Sequence, residues 1–259
     1  MSIKVILDAG HGSDTWKRTG GKGVKHNGAV FEEHSFNAAV VGYTKELLEC
    51  NGIEVLLTQP LNGNEVPLGT RTAWANKQGA KALISFHADA NGNPEAKGHW
   101  VFFWHTSANG KRLAQVWDKH ADQLLGNSCR GIQESKPGLW TNFHMVRETS
   151  MPSILVEHAF MTNTEDLQRL QSDSFRRKCA EVAAKAICEY CGVNYKEGDT
   201  SDMTFKDTKG HWAEQAIETV AERRIMGGFS DGTFRPNEPM TRAQMAKVVS
   251  DILKIVDKK

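Results

Sequence analysis

The chain has 259 residues, 39% of them hydrophobic and only 7 of them proline, which is enough apolar material for at least one substantial core and excludes global disorder. Its 32 Lys and Arg against 31 Asp and Glu give a formal charge of +1; with no long-range field toward phosphate, nucleic acid is not an expected partner. No apolar run approaches the ~20 residues of a bilayer span, and the opening Met1-Ser2-Ile3-Lys4-Val5 turns polar by Asp8 and His11, so neither membrane insertion nor a signal peptide is expected, and synthesis in the cytoplasm is.

From Ile3 to Tyr190, short β-rich runs alternate with longer amphipathic stretches, the pattern of an α/β domain with a mostly parallel twisted sheet and helices on both faces. In chain order the spacing predicts a strand at Ile3–Leu7, a helix at Ser35–Cys50, a strand at Glu54–Thr58, a helix at Leu68–Gln78, strands at Ala82–Phe86 and Trp100–Trp104, a helix at Gly110–Leu125, a strand at Ser153–Glu157 and a helix at Ser174–Cys191. The five cysteines, an odd number in a chain of this size, argue against a disulfide framework, and Cys188 and Cys191 read as helix cysteines rather than half of a metal site. This first domain takes residues 1–193. Residues 194–202 are polar and without periodicity, a linker. Residues 203–259 form a short second unit, with a helix at Trp212–Arg223, a Gly/Asp turn at Gly227–Gly232 and a helix opened by Thr241 and running to about Val256. A unit this small has a thin core.

Four segments of the first domain carry chemistry, each at or beside the end of a regular element, where open α/β sheets place their ligands. Asp8-Ala9-Gly10-His11-Gly12 follows the first strand, and glycines on both sides of His11 remove the bulk that would keep a metal and a substrate from the imidazole. Phe31-Glu32-Glu33-His34 precedes the first long helix, and Ser85-Phe86-His87-Ala88-Asp89 ends the third strand. Two strand-end histidines with an acid between them in sequence make a His/Glu/His set suited to a catalytic zinc that keeps a fourth position for water. Leu155-Val156-Glu157-His158 ends the last strand in a carboxylate. A glutamate that is not a ligand but lies beside a zinc-bound water is the usual general base of metal-assisted amide hydrolysis.

The runs DAGHG, FEEHSFN, PLGTRTAWAN leading into ALISFHADAN, and MVRETSMPSILVEHAFMTN, in that order over nearly all of residues 1–192, resemble the zinc-dependent N-acetylmuramoyl-L-alanine amidases of the type-3 family. The resemblance implies that His11, His87 and one glutamate of the Glu32-Glu33 pair bind Zn2+ and that Glu157 is catalytic. It implies peptidoglycan as substrate, cut at the amide between the lactyl group of N-acetylmuramic acid and L-alanine. The acidic ligand of the family precedes a helix and is followed four positions on by Asn or an apolar residue, which selects Glu33, with Asn37, over Glu32. The chain departs from the family's frequent His-Ala-Asn in having Asp89. Arg71 and Asn76 match family positions and read as helix anchors, with Arg147 doing the same before the last strand. His26, His34, His99, His105, His120, His144 and His158 read as surface or satisfied loop residues, and strand alternation turns His158 away from Glu157. Trp74, Trp100, Trp104, Trp117 and Trp140 divide between a glycan groove and ordinary core or surface.

The second unit reads Phe205-Lys206-Asp207-Thr208-Lys209-Gly210-His211-Trp212-Ala213, then Gly228-Phe229-Ser230-Asp231-Gly232-Thr233-Phe234-Arg235-Pro236, then Met240-Thr241-Arg242-Ala243-Gln244. It resembles a single, largely helical S-layer-homology module, whose kind binds the secondary polysaccharide of Gram-positive walls. Trp212 and Arg242 match the positions most often implicated, and an arginine fork suits a carboxylated sugar. Such modules usually act in threes, and this chain holds one copy. The expectation is a wall amidase targeted by its tail, of the bacteriophage endolysin kind released through a separate membrane pore. The alternatives are a sporulation or mother-cell autolysin and a non-catalytic wall-binding protein.

Overall fold

A computed structural model describes residues 2–196, 205–222, 225–229 and 232–256, so residues 197–202 of the expected linker, Arg223 and part of the Gly227–Gly232 turn lie outside the described residues. The chain divides into two compact units, Met1–Tyr195 and Lys196–Lys259.

The first unit contains β1 (Lys4–Ala9), α1 (Thr15–Thr19), β2 (Gly23–His26), β3 (Ala29–Glu32), α2 (Glu33–Cys50), β4 (Glu54–Leu57), α3 (Leu68–Ala75), β5 (Leu83–Asp89), β6 (His99–Trp104), α4 (Ala108–Leu124), β7 (Cys129–Ser135), α5 (His144–Arg147), β8 (Ser153–Phe160), α6 (Thr164–Gln171) and α7 (Asp173–Cys191). Six strands form one sheet in the order β4-β1-β5-β8-β6-β7. The pairs β1/β4, β1/β5, β5/β8 and β6/β7 are parallel, and β6 runs antiparallel to β8. The sheet is therefore mostly parallel, as expected, with its last two strands reversed.

Alternation along the strands explains both faces. Val5, Leu7 and Ala9, Ile84, Phe86 and Ala88, Val101 and Phe103, and Ile154 and Val156 all enter the main core. That core is closed by α2, α4 and α7, whose buried residues include Phe36, Val40, Leu113, Trp117, Ala183 and Ile187. The intervening residues face the thinner α3/α5 side, where Ile6 and Leu83 meet Ala75 and Met145 while Phe102 and Leu155 meet Val146. Polar Asp8, Ser85, His87 and Glu157 share that periodicity. They fall on the thin side, where the cover is two short helices and a cavity can open.

Two elements are additions to the sequence reading. The β2–β3 hairpin turns at Asn27-Gly28, with both residues at positive φ (48° and 78°) as the tight hairpin turn requires. The edge strand β7 is polar and largely exposed, and shows no apolar alternation to announce it.

In the second unit the segments interlock through the backbone. The Asp207 carboxylate accepts from Phe234 N and Arg235 N, both at 2.8 Å, and Lys206 N donates to Gly232 O at 3.0 Å. Phe205, Ile217 and Ala221 form the buried centre with Phe234 against them. Gly228 is required there, because a Cβ would lie 2.2 Å from the Phe205 ring. Helices α8 (Glu214–Glu222) and α9 (Arg242–Val256) complete the unit. Thr241 and Gln244 form a reciprocal capping box at the start of α9, with Thr241 N to Gln244 Oε1 at 2.8 Å and Gln244 N to Thr241 Oγ1 at 3.2 Å. No helix among the described residues is long and apolar enough to cross a membrane.

Candidate metal centre and active site

The structure brings His11, Glu33 and His87 together, their ligand atoms all within 4.8 Å of one another. His11 sits in the left-handed region (φ 63°) between Gly10 and Gly12, a strained geometry for a non-glycine residue. Both glycines are steric necessities, since a Cβ on Gly10 would lie 2.2 Å from the His87 ring and one on Gly12 2.2 Å from the Glu65 backbone. The Gln59 side chain holds this loop through the carbonyls of Ala9, at 2.6 Å, and His11.

Helix α2 begins two residues earlier than periodicity predicts. Glu33 is therefore its first residue and buried, whereas Glu32 ends β3 and lines a different depression of the surface. Glu33 Oε2 lies 3.1 Å from His11 Nε2 and Oε1 lies 2.9 Å from His87 Nδ1. Asn37, one turn on, donates to Glu33 Oε1 (3.3 Å) and to Gly10 O (3.2 Å), fixing the carboxylate and the histidine loop together.

The far side of each imidazole is occupied. His87 Nε2 donates to Ser85 Oγ (3.1 Å), which donates to Asp8 Oδ2 (2.6 Å). His11 Nδ1 faces Glu65 Oε1 at 3.6 Å. Buried Arg71 binds both carboxylates, Asp8 at 3.1 Å and Glu65 at 3.3 Å, and also donates from Nε to Val66 O at 2.7 Å. Each ring is thus backed on its far side by a carboxylate, His87 through Ser85 and His11 at longer range, the kind of outer partner that metal-binding histidines have. His11 Nε2 is buried without a hydrogen-bond partner. Two imidazole nitrogens and a carboxylate, preoriented around one point, fit a zinc ion with an open fourth position.

The electrostatics separate the carboxylates. Burial alone would raise the Glu33 carboxyl, but the adjacent His11 and His87 outweigh it and hold it well below the ordinary range. Glu157 is the reverse case, pushed well above its ordinary value by burial, then by Asp89 and Glu33. Glu157 is the register partner of His87 on the neighbouring strand and shares its face, with the two backbones about 5 Å apart. Its Oε2 has no hydrogen-bond partner, and it lines the same cavity of about 450 Å³ as His11, Glu33 and His87. Asp89, at the position where the family often has Asn, accepts from Trp100 Nε1 at 3.0 Å, and burial raises its carboxyl.

Over residues 5–189 the chain matches the family model of N-acetylmuramoyl-L-alanine amidases. The chain belongs to this family. The amidase domain resembles the catalytic domain of CwlV from Bacillus (Paenibacillus) polymyxa, with a TM-score of 0.65 at 28% identity over 74% of this chain and 99% of that one. It also resembles AmiC2 of Nostoc punctiforme, with a TM-score of 0.63 at 29% identity over 73% of this chain and 97% of that one. Among curated relatives, the amidase AmiC of Neisseria meningitidis is 27% identical over 73% of this chain, which spans 53% of that protein's length. Residues 204–246 match the S-layer homology domain. The tail region is 45% identical over 62 residues to a cellulosome-anchoring protein of Acetivibrio thermocellus, 24% of this chain and 14% of that protein.

Other expected positions resolve differently. His158 faces the opposite side of the sheet, stacked on Phe86 with Nδ1 donating to His87 O at 3.1 Å, and burial drives its pKa down to about 3. His34 and His99 are buried rather than at the surface, and His144 lines the amidase cavity. Arg71 and Asn76 anchor as expected, Asn76 tying α3 to the chain before β8 through Glu148 O and Ser150 N, both at 2.8 Å. Arg147 clamps Asn142 Oδ1 at 2.6 Å. Trp117 is core, Trp140 is 67% exposed beside Trp100, and Trp212 is 91% exposed, which excludes a core role for it. Arg242 is exposed in the first turn of α9, where a cation opposes the helix dipole and gains nothing for stability. Glu65 was not legible in the sequence, because it arises from a loop whose residues share no motif with His11.

Proposed function

We propose that the protein hydrolyses the amide between N-acetylmuramic acid and L-alanine in peptidoglycan, with His11, Glu33 and His87 holding Zn2+ and Glu157 as the proton carrier. The observation that carries this reading is the preoriented His11/Glu33/His87 cluster with the unpartnered Glu157 Oε2 in the same cavity. Zinc bound there would supply a Lewis acid for the water and the scissile carbonyl. Glu157 takes the proton from the attacking water and returns it to the departing L-alanine nitrogen, since an amine leaves poorly unprotonated. Its raised affinity for protons, moderated by a nearby dication, suits both half-reactions. Ser85, Asp8, Glu65 and Arg71 keep the ring nitrogens of His11 and His87 aimed at the metal position.

Glu157→Gln tests the assignment. Turnover of purified walls should fall by about 10²–10⁴-fold, with metal content and fold retained. A fully metallated Glu157→Gln protein within a few fold of wild-type activity would remove Glu157 from this role.

The C-terminal unit, in this reading, carries the enzyme to secondary wall polysaccharide, with exposed Trp212 and Arg242 as the contacts. The likeness of this region to a cellulosome-anchoring protein supports it. The setting we propose is lytic, an endolysin made in the cytoplasm and acting on the wall after release. A second reading, an autolysin of sporulation, is favoured by similarity to the sporulation-specific amidase of Bacillus subtilis, 25% identical over 78% of this chain. Expression timed to phage induction or to sporulation separates the two.

A further inference from the structure

On the opposite side of the sheet from Glu157, at the beginning of β6 and β7, lies a second convergence of ligand-type side chains that the amidase chemistry does not use. His99, Asp118 and Cys129 present one ligand atom each, all within 4.8 Å of one another. His99 and Cys129 are register partners on parallel strands, and Asp118 comes from α4, the helix that joins those strands.

The local backbone is shaped to make this meeting. Gly98 has φ 102° and lies so close to the Ser128 carbonyl that a Cβ would sit 2.0 Å from the oxygen. His99 N donates to that same carbonyl at 2.8 Å, which fastens the start of β6 to the start of β7. Immediately after, the register slips by one residue, from His99↔Cys129 to Val101↔Ile132, with Gly131 at φ 75° in the bulge.

The histidine is held as a ligand is held. Asn127 donates from Nδ2 to His158 O at 2.8 Å, so its Oδ1 is the atom that faces His99 Nδ1, at 2.7 Å. Nδ1 must then carry the ring proton, and Nε2 is left as a bare lone pair. His99 is 0% exposed and its Nε2 has no hydrogen-bond partner. A buried acceptor left unpaired is a cost to the fold, and one nitrogen of the His99 ring lies within 4.8 Å of a thiol and a carboxylate. Cys129 Sγ lies 3.5 Å from Asp118 Oδ1, close to the ~3.3–3.8 Å between two donors on one tetrahedral ion with bond lengths of ~2.0–2.3 Å.

We propose that His99, Asp118 and Cys129 form a second metal site, for a zinc-type divalent cation, that clips the edge strand β7 to β6 and α4. The mixed nitrogen, sulfur and oxygen set selects a borderline-soft ion over Mg2+ or Ca2+. Asp118 and Cys129 reach the surface, so the ion enters without opening the core. Binding releases the thiol proton that Cys129 now shares with Asp118.

Cobalt(II) added to metal-stripped full-length protein under reducing conditions distinguishes this site from the amidase centre, whose ligand set His11, Glu33 and His87 contains no sulfur. Two ions per chain are expected, with a sulfur-to-cobalt charge-transfer band in the near ultraviolet. Cys129→Ser should lose the band and one ion while leaving wall hydrolysis unchanged, and Asp118→Asn should weaken the band. Zinc should slow the reaction of Cys129 with a thiol reagent at least about tenfold. One ion with a Cys129-dependent band sustains this site and removes the amidase metal. Absence of the band at saturating cobalt, or a band that survives Cys129→Ser, overturns the proposal.

Discussion

The two units solve the same problem, stability at modest size, in opposite ways. The amidase unit buries a long list of wholly inaccessible apolar side chains and places fully buried charges on the thin face, with Asp8 under Arg71. Among its described residues the C-terminal unit has three buried apolar side chains at its centre and leaves Met245, Val249, Ile252 and Leu253 exposed along one side of α9. A deep core supports precise, strained and charged geometry, because the surrounding packing determines it. A thin core supports display instead, and the C-terminal unit displays Trp212 and Arg242.

The largest effect should come from breaking the buried charge pair. Asp8→Ala leaves the Arg71 guanidinium buried with only part of its partnership, so the amidase unit should lose about 3–5 kcal/mol in chemical unfolding. A loss below about 1 kcal/mol would show that the buried network is solvated and that the two units differ little in the charged geometry they support.

A pH titration of the metal-free protein sharpens the same point. The folded Glu157 carboxyl lies well above its ordinary value, so the folded chain binds that proton more tightly than the unfolded chain does. The stability this contributes is complete below the ordinary carboxylate range and is lost as pH rises through the raised folded value. Glu157→Gln should therefore be more stable than wild type at neutral pH, with the gap closing in acid at a slope of up to about 1.4 kcal/mol per pH unit. A gap that does not change with pH would mean that Glu157 is solvated.

Effects in the C-terminal unit should be smaller. Thr241→Ala removes one half of the capping box and should cost about 1 kcal/mol, seen as lost helix signal from α9 with the amidase transition unmoved. Trp212→Ala should change stability by less than about 0.5 kcal/mol, because the ring is 91% exposed, yet reduce sedimentation with walls. Unchanged sedimentation, before and after the wall polysaccharide is stripped, would take the targeting role from this face.

The same contrast decides what was legible in the sequence. Strands β1, β5, β6 and β8 announce themselves because interior strands buried on both faces are near-continuous apolar runs, edge strand β4 keeps the apolar run Val55-Leu56-Leu57, and the strand-end polar residues between them mark His11, His87 and Glu157. Strand β7 is invisible because an edge strand with the sequence CRGIQES is held by backbone pairing to β6, and the apolar pattern has no part in it. The β2–β3 hairpin carried a readable signal in Asn27-Gly28 that periodicity alone passes over. Glu33 rather than Glu32 meets His11 and His87 because of where α2 begins, a boundary that periodicity misplaces by two residues. Glu65, and the meeting of His99 with Cys129, depend on register and loop placement between distant segments, for which no local pattern exists.

Zinc-dependent amide cleavage is tested most sharply by the identity of the chain ends released when purified walls are digested by the full-length protein, with and without a chelator. Digestion should give new L-alanine amino termini and no new reducing sugars, with loss of both release and bound zinc on chelation and recovery of release on adding zinc back. New ends within the stem peptide or the glycan, or L-alanine release that proceeds unchanged in a metal-stripped enzyme, would contradict zinc-dependent amide cleavage.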